Sequence, residues 1–394
     1  MRKIVYLEDP RKLLEELGAG CNVDSLMNLR EYFDYTGGLF LNKNTFCEAK
    51  SKLPCDISDF ISGLSNEKDG NVYLRSKQYY LNFVLDDDII KVRKQLPSLI
   101  TKTTNIINRL GRFSPDTLES KILVGSILDH KKHYSLCMLN SVFYHMLKHK
   151  LDIEIYKNVK DACIKDVFNF YSFLLNDKIC EQGIFTDASL NAFEKKIVLP
   201  KNILPTPDNS EGVSTARKII IREMDHPIQI LLFAGQLLKC DKDCLIDFVV
   251  NPLNGAAEIG YAVKSIYSNL CIDKVRDVFL LKYSRYDERN VKDILLDPFL
   301  PKQLRTQTEI IKNKRLLIID DNIFNGKTLS DVQQMCSAYS DDIDVAVIEK
   351  SITFDETSLI KYQDMNIKPI SKLRYIRAVL NEIKNNNLYT LIKG

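Results

Sequence analysis

The sequence predicts an α/β protein in which a parallel sheet flanked by helices follows a mainly helical N-terminal half. Three observations predict this. From residue 215 onward, short apolar runs alternate with helical patterns, which is typical of parallel strands joined by helices. Before residue 200, apolar residues recur mainly at helical spacing. Residues 201–214, between these parts, are rich in proline and polar residues, as linkers are. We therefore expect a helical domain of unknown role over 1–200, a linker over 201–214 and an α/β domain over 215–394.

The composition is that of an ordinary globular protein. The chain has 394 residues, enough for two or three domains, and is 45% hydrophobic and 27% charged. A net charge of +3 is nearly neutral, so it gives no support for general binding to nucleic acids or membranes. The ten cysteines show no Cys-x-x-Cys pairing, and acidic residues interrupt the N-terminus. We expect free thiols, no secretory signal and a cytoplasmic location.

Local signals divide the N-terminal half into helices and one hairpin. Asp9-Pro10 is typical of a helix start, and Gly18 is a plausible stop. Residues 71–74 and 79–85 are rich in β-branched and aromatic side chains, which predicts a hairpin. Further along, Leu96-Pro97 is predicted to break a helix.

Two groups of histidines and lysines in this half are predicted to have no metal-binding or catalytic role. His145 and His149 lie one helical turn apart and could share a metal. A partly exposed helix is the favoured interpretation, because this segment lacks a His-Glu-x-x-His motif and a nearby acidic ligand. Lys131-Lys132 is predicted to be a solvated face.

Beyond the linker, apolar runs and helical patterns alternate. Three runs predict strands, over Leu245–Val250, Val278–Leu281 and Asp344–Ile348. Helical patterns predict Pro227–Lys239, Tyr261–Ser268 and a tail helix near Leu373–Lys384. Their alternation predicts a parallel sheet flanked by helices.

The C-terminal half is organised around residues 315–336. Leu316–Ile319 predicts a strand, Asp320 and Asp321 follow at its carboxyl end, and Asn325-Gly326-Lys327-Thr328 predicts a polar loop that enters a helix. The carboxyl edge of a parallel sheet is where such folds bind ligands, and free N–H groups at a helix start suit a phosphate. Two carboxylates could accept hydrogen bonds from sugar hydroxyls or hold Mg²⁺ through water. The combination therefore fits a sugar phosphate.

This stretch resembles the phosphoribosyl-pyrophosphate (PRPP) motif of type I phosphoribosyltransferases, so the α/β half is expected to have a type I phosphoribosyltransferase-like sheet. The resemblance implies that Asp320 and Asp321 contact the ribose hydroxyls and lie near Mg²⁺. It also implies that the 5′-phosphate is cradled by four residues, Asn325, Gly326, Lys327 and Thr328. Phe324 departs from the motif, because purine-specific members carry an acid there; it counts against a 6-oxopurine transferase. Asn325 also departs from the usual threonine.

Two further segments have positions that match the family. Asn251–Ala257 resembles the glycine-containing loop that binds pyrophosphate, with Asn254, Gly255 and Ala256 as the implied contacts. Asn254 stands where many members carry Lys or Arg. Lys282 and Arg285 follow the second predicted strand and are implied to lie near the diphosphate, where cations pair with phosphate oxygens. Residues 288–313 occupy the position of the family's mobile hood.

The resemblance leaves several functions open. The first is an enzyme that binds PRPP with Mg²⁺ and transfers phosphoribosyl to a nitrogenous acceptor, releasing pyrophosphate. Two alternatives are an effector of a bacterial conflict or antiphage system and a non-catalytic regulator that senses PRPP or a nucleotide. A protein or nucleic-acid partner would bind through residues 1–200. Self-association as a homodimer is left open, and no membrane partner is expected.

Overall fold

The computed structural model of the chain describes thirteen segments: 10–19, 23–32, 39–74, 95–111, 115–148, 153–195, 227–240, 245–252, 257–270, 275–281, 311–323, 327–350 and 367–369. Residues 10–195 are called the helical half below, and residues 227–369 the α/β half. The predicted linker over 201–214 and the tail helix near Leu373–Lys384 lie outside the described residues.

The helical half contains eight described helices and three short strands. The helices are α1 (Pro10–Glu16), α2 (Val23–Leu29), α3 (Lys43–Ser51), α4 (Cys55–Leu64), α5 (Leu96–Leu110), α6 (Leu118–Lys148), α7 (Ile153–Asn176) and α8 (Asp187–Lys195), and a 3₁₀ turn at Arg30–Tyr32 follows α2. The strands β1 (Phe40–Asn42), β2 (Asn66–Lys68) and β3 (Asn71–Tyr73) form an antiparallel sheet in the order β1-β3-β2.

Local signals explain where the first helix begins and ends. The role predicted for Pro97 is wrong. Helix α1 begins at Pro10, as predicted, and Gly18 closes it with φ of +77°. The Ala19 N–H donates to the Leu14 carbonyl, which is the bond expected of a glycine-terminated helix. The predicted break at Leu96-Pro97 is wrong, because Pro97 lies in the first turn of α5. Proline is tolerated there, since that N–H has no partner within the helix.

In the small sheet, strand β3 pairs with other strands than the hairpin prediction gave it. Strand β3 pairs with β2 through the two-residue turn Asp69-Gly70, and it also pairs with β1. Both turn residues have positive φ, 53° for Asp69 and 76° for Gly70. This conformation matches the twist of the flanking strands and favours Asp-Gly. The predicted second strand over 79–85 lies outside the described residues.

The α/β half forms a parallel sheet flanked by helices, which confirms the predicted class of this half. Its strands are β4 (Ile246–Pro252), β5 (Val275–Leu281), β6 (Leu316–Ile323), β7 (Ile343–Lys350) and β8 (Ile367–Pro369). Its described helices are α9 (Pro227–Cys240), α10 (Ala257–Asn269) and α11 (Lys327–Ser337). The strand order is β5-β4-β6-β7-β8, and every neighbouring pair is parallel.

This strand order contains a switch in direction between β4 and β6. From β4 the chain adds β5 on one side, and then returns to add β6 on the other side. The register pairs Val250 with Ile318, so the carboxyl ends of β4 and β6 lie side by side. In open parallel sheets such a switch leaves a crevice at the carboxyl edge, where ligands bind.

The two faces of the sheet pack against different partners. In β6, Leu317 and Ile319 join a large hydrophobic cluster that includes α9, α10 and most of the helical half. Leu316 and Ile318 point the other way and join a smaller cluster with α11. This alternation follows the two-residue period of a strand and accounts for the continuous apolar run.

The two halves share one hydrophobic core. The large cluster runs without a break from α1 to the sheet, and α7 packs along α10. Helix α1 lies so close to α9 that a Cβ at Gly235 would be 3.2 Å from the Leu13 carbonyl oxygen. Among the described helices, none combines the length and the apolar character that crossing a membrane would require.

Candidate functional site

The acidic pair lies within β6, at the carboxyl edge of the sheet. The strand extends to Ile323, so Asp320 and Asp321 occupy its second half rather than the turn after it. Asp320 pairs in register with Val347 of β7 and is only 6% exposed. By the period of the strand, Asp320 shares the face of Ile318, on the side of the sheet that α11 covers. For Asp321 the structure describes the backbone only.

Helix α11 begins four residues after β6 ends. Lys327 and Thr328, predicted as the end of a polar loop, form the first turn of this helix. Leu329, Val332 and Met335 bury its apolar face against the sheet. Because α11 follows a parallel strand and leads back to the next one, its N-terminus lies at the carboxyl edge. The first N–H groups of a helix lack partners within it and favour an anion.

On the other face, β4 ends beneath α10. The side chain of Asn251 is fully buried, and it lies against Gly260 of α10. A Cβ at Gly260 would be 1.8 Å from Asn251 Oδ1, so only glycine allows this approach. Residues 253–256 connect β4 to α10, which begins at Ala257. A second helix N-terminus therefore follows the strand that borders the crevice.

The first turn of α10 is held by the helical half. Glu258 accepts hydrogen bonds from Lys132 Nζ at 2.5 Å and from Tyr171 Oη at 2.8 Å. Lys132 Nζ also lies 2.8 Å from Asp129, and this lysine side chain is fully buried. The predicted solvated face at Lys131-Lys132 is therefore wrong, because Lys131 is also buried and pairs with Asp166 at 2.8 Å.

Burial and nearby carboxylates act in opposite directions on Lys132. Burial disfavours its charged form, but Asp129 and Glu258 outweigh burial and raise the pKa of Lys132 above its usual value. The lysine is thus held as a cation in the interior. Its Nζ also lies 4.0 Å from the centre of the Phe170 ring, which adds a favourable cation–π contact.

A second charged contact joins the halves at the edge strand β5. Asp277 pairs with Lys160 of α7 at 3.1 Å and with Lys264 of α10 at 3.3 Å. Burial raises the pKa of this carboxyl, but the two lysines outweigh burial and lower it below its usual value. Lys160 also donates to the Val278 carbonyl. The sheet edge next to β4 is therefore fixed to α7.

Several predicted site residues lie outside the described residues. They are Asn254, Gly255 and Ala256 of the predicted pyrophosphate loop, Lys282 and Arg285 after β5, and Phe324, Asn325 and Gly326 before α11. The predicted hood is described only from Ile311 onward, and His149 lies outside as well. Within the described segments, no group of three or more His, Cys, Asp or Glu side chains could hold a metal ion.

Comparisons with known proteins give one distant likeness. No family model matches the sequence, and no curated protein does. Among solved structures, a UMP synthase from Leishmania donovani matches with 14% identity and a TM-score of 0.25. The match covers 43% of this chain and 31% of that one, so it spans about a third of the UMP synthase chain. A likeness at this TM-score identifies no family.

Sequence reasoning missed Glu258 and Lys132 as a pair. The polar run from Asp129 to His133 indicates an exposed face, although apolar residues lie on both sides of it along the helix. The run is nevertheless buried, so Lys132 needs a buried partner. No local signal points to Glu258, which lies 126 residues further along the chain.

Proposed function

We propose that the protein binds PRPP with Mg²⁺ in the crevice between β4 and β6 and transfers the phosphoribosyl group to a nitrogenous acceptor. The bond from ribose C1 to the diphosphate breaks, the diphosphate leaves with the electron pair, and a bond from C1 to the acceptor nitrogen forms. The acceptor nitrogen loses its proton to solvent water.

One observation carries this proposal: Asp320 and Asp321 lie at the carboxyl edge of a strand that borders the switch in strand order. Helices α10 and α11 begin at that same edge, on opposite faces of the sheet. The ligand needs an anion site at each end and hydroxyl acceptors between them. Two helix N-termini and a pair of carboxylates supply that set of groups.

Each group then has a role that its chemistry supports. The start of α11, with Lys327 and Thr328, would hold the 5′-phosphate, and Asp320 and Asp321 would orient the ribose. The connection 253–256 at the start of α10, with Lys282 and Arg285, would stabilise the charge that builds up on the departing diphosphate. Mg²⁺, when bound, would neutralise part of that charge; it commonly takes one or two carboxylates plus phosphate oxygens and water, which fits an aspartate pair.

The first test is calorimetric titration of PRPP in the presence of Mg²⁺. The double variant Asp320→Asn/Asp321→Asn should bind at least about 100-fold more weakly, because it removes two charged hydrogen-bond acceptors that contribute several kcal/mol. Release of pyrophosphate on addition of nitrogenous bases would then identify the acceptor. If the wild-type protein binds no PRPP, the proposal is wrong.

A second aspartate pair provides the matched control. Asp341 and Asp342 are exposed and lie at the amino end of β7, on the opposite edge of the same sheet. Asp341→Asn/Asp342→Asn makes the same change in charge and should leave the affinity for PRPP within about twofold of wild type. An equal loss in both double variants would point to net charge rather than to the site.

A second candidate is a sensor that binds PRPP or a nucleotide without turnover. The shared core and the charged contacts between the halves favour it, because they connect the crevice to a large helical body. The same connection would serve an effector whose partner binds the helical half. Binding of PRPP without release of pyrophosphate across a panel of bases would favour the sensor over the enzyme.

A further inference from the structure

The contact between Lys132 and Glu258 joins the helical half to the start of the proposed diphosphate site. Glu258 is the second residue of α10, two positions after Ala256, where the connection 253–256 ends. Its side chain is 14% exposed, and both of its hydrogen-bond donors, Lys132 and Tyr171, belong to the helical half. The position of this first turn therefore depends on α6 and α7.

The charge of Glu258 creates a specific problem for an anion at this place. A carboxylate in the first turn stabilises the helix, but it repels a diphosphate that binds to the same N–H groups. Lys132 lies 2.5 Å from that carboxylate and 2.8 Å from Asp129, so it offsets part of the Glu258 charge from the interior side. A buried ion pair contributes little net stability, so a fully buried lysine at this place is better explained by what it positions.

We propose that Lys132 is a positioning residue for the diphosphate, acting through Glu258, so that the helical half controls the affinity of the crevice for PRPP. This inference rests on the proposed function. Loss of Lys132 would leave the carboxylates of Asp129 and Glu258 without the cation that they share, and Glu258 is the one next to the ligand. This loss would also release the turn into which the connection 253–256 leads.

The chain offers a closely matched control, the neighbouring residue Lys131. This lysine is on the same helix, is 1% exposed and pairs with a buried carboxylate, Asp166. It also donates to the Gly183 carbonyl, so both of these contacts stay within the helical half. Lys131→Met and Lys132→Met each remove one buried cation, which serves one carboxylate in the first case and two in the second, and only the second change reaches α10.

The experiment compares the full-length Lys132→Met and Lys131→Met variants with wild type in two measurements. Amide hydrogen exchange without ligand should become faster in the peptide covering 253–262 for Lys132→Met alone. Calorimetry with PRPP and Mg²⁺ should show affinity about tenfold weaker for Lys132→Met and within about twofold for Lys131→Met. Equal effects in both variants, or none in Lys132→Met, would overturn the inference.

A milder variant covers the case in which Lys132→Met does not fold. Tyr171→Phe removes only the hydroxyl that donates to Glu258, and it should weaken PRPP binding about threefold while the ring stays packed. Unchanged affinity in this variant would count against the inference. Wild-type protein that binds no PRPP would instead overturn the proposed function, and the two failures are thus distinguished.

Discussion

Gly260 lies closer to β4 than any side chain would allow. The ideal Cβ position is 1.8 Å from Asn251 Oδ1, 2.7 Å from its Cγ and 3.1 Å from Val249 Cγ1. Real carbon atoms do not approach this closely. The absence of a side chain at this one position therefore fixes how near α10 lies to the strand that borders the crevice, and it keeps Asn251 in its buried place.

Substitution of Gly260 by alanine should destabilise the protein by about 1–3 kcal/mol, because α10 must move away or Asn251 must change rotamer. It should also weaken the binding of PRPP, since α10 begins the proposed diphosphate site. Urea denaturation followed by circular dichroism measures the change in the free energy of unfolding, and calorimetry measures the affinity.

Gly63 supplies the comparison for that substitution. It lies in α4, is exposed, and has no atom within 4 Å of its ideal Cβ position. Gly63→Ala should leave stability unchanged or increase it by up to about 1 kcal/mol, because alanine is the better helix former. A neutral Gly260→Ala variant would mean that the helix and the strand are not this tightly packed.

Helices α6 and α10 are joined by a charge pair whose strength depends on pH. The pKa of Lys132 is raised in the folded protein above its ordinary value of 10.5, because Asp129 and Glu258 outweigh burial. The charged lysine therefore stabilises the fold below pH 10.5, and this contribution is lost as the pH rises from there through the folded-state pKa. The junction between these helices should loosen in alkali.

Wild type should accordingly lose more stability than Lys132→Met when the pH is raised from about 9 to about 11, since the variant lacks the group that titrates. Urea unfolding at a series of pH values measures the two free-energy curves, and their difference removes the contribution of all other lysines and tyrosines. Parallel curves would contradict a raised pKa at this position.

The elements of the α/β half could be predicted from the sequence more fully than those of the helical half. Runs such as Leu316–Ile319 are buried on both faces, so composition alone indicates a parallel strand. The turn Asp69-Gly70 also carries a local signal, which the predicted hairpin over 71–74 and 79–85 did not use. By contrast, Lys132 was predicted to be exposed because its partner lies on another element, and no local pattern records a contact 126 residues away.

For the candidate site, the sequence predicted which segments follow one another along the chain, but not where each strand ends. The acids and the following helix were expected from spacing, and both lie at the carboxyl edge of the sheet, whereas Asn325 and Gly326 of the predicted phosphate loop lie outside the described residues. The extension of β6 through Asp320 and Asp321 was not predicted, because polar residues after an apolar run ordinarily indicate a turn. Pairing with β7 provides backbone partners that the local sequence does not reveal.

Considered as a whole, the described residues place both halves around one large core, and a smaller cluster lies on the sheet face that α11 covers. The large cluster contains residues from α1 through α7 together with α9, α10 and one face of the sheet. Removal of the helical half would expose that face and leave Glu258 and Asp277 without the partners Lys132 and Lys160. Such a large apolar surface favours aggregation.

We therefore expect the full-length chain to unfold in a single cooperative transition, with the same midpoint for signals from both halves. A fragment of residues 201–394 should be aggregated or lack fixed tertiary structure. Differential scanning calorimetry tests the single transition of the full-length chain. Near-ultraviolet circular dichroism tests whether the fragment has fixed tertiary structure. Two separate transitions, or a well-folded fragment, would show that the halves are independent domains.

The distance along the chain between Lys132 and Glu258 has a consequence for synthesis on the ribosome. All of α6 and α7 leave the exit tunnel well before α10 is made, so Lys132 has Asp129 but no Glu258 during that interval. Until α10 is made, the surface of α7 that it later covers remains open to water, which should delay the final packing of the nascent helices. We expect the N-terminal part to stay loosely packed until α10 has emerged, so that the helical half reaches its final packing only after the first strand and helix of the α/β half have been made.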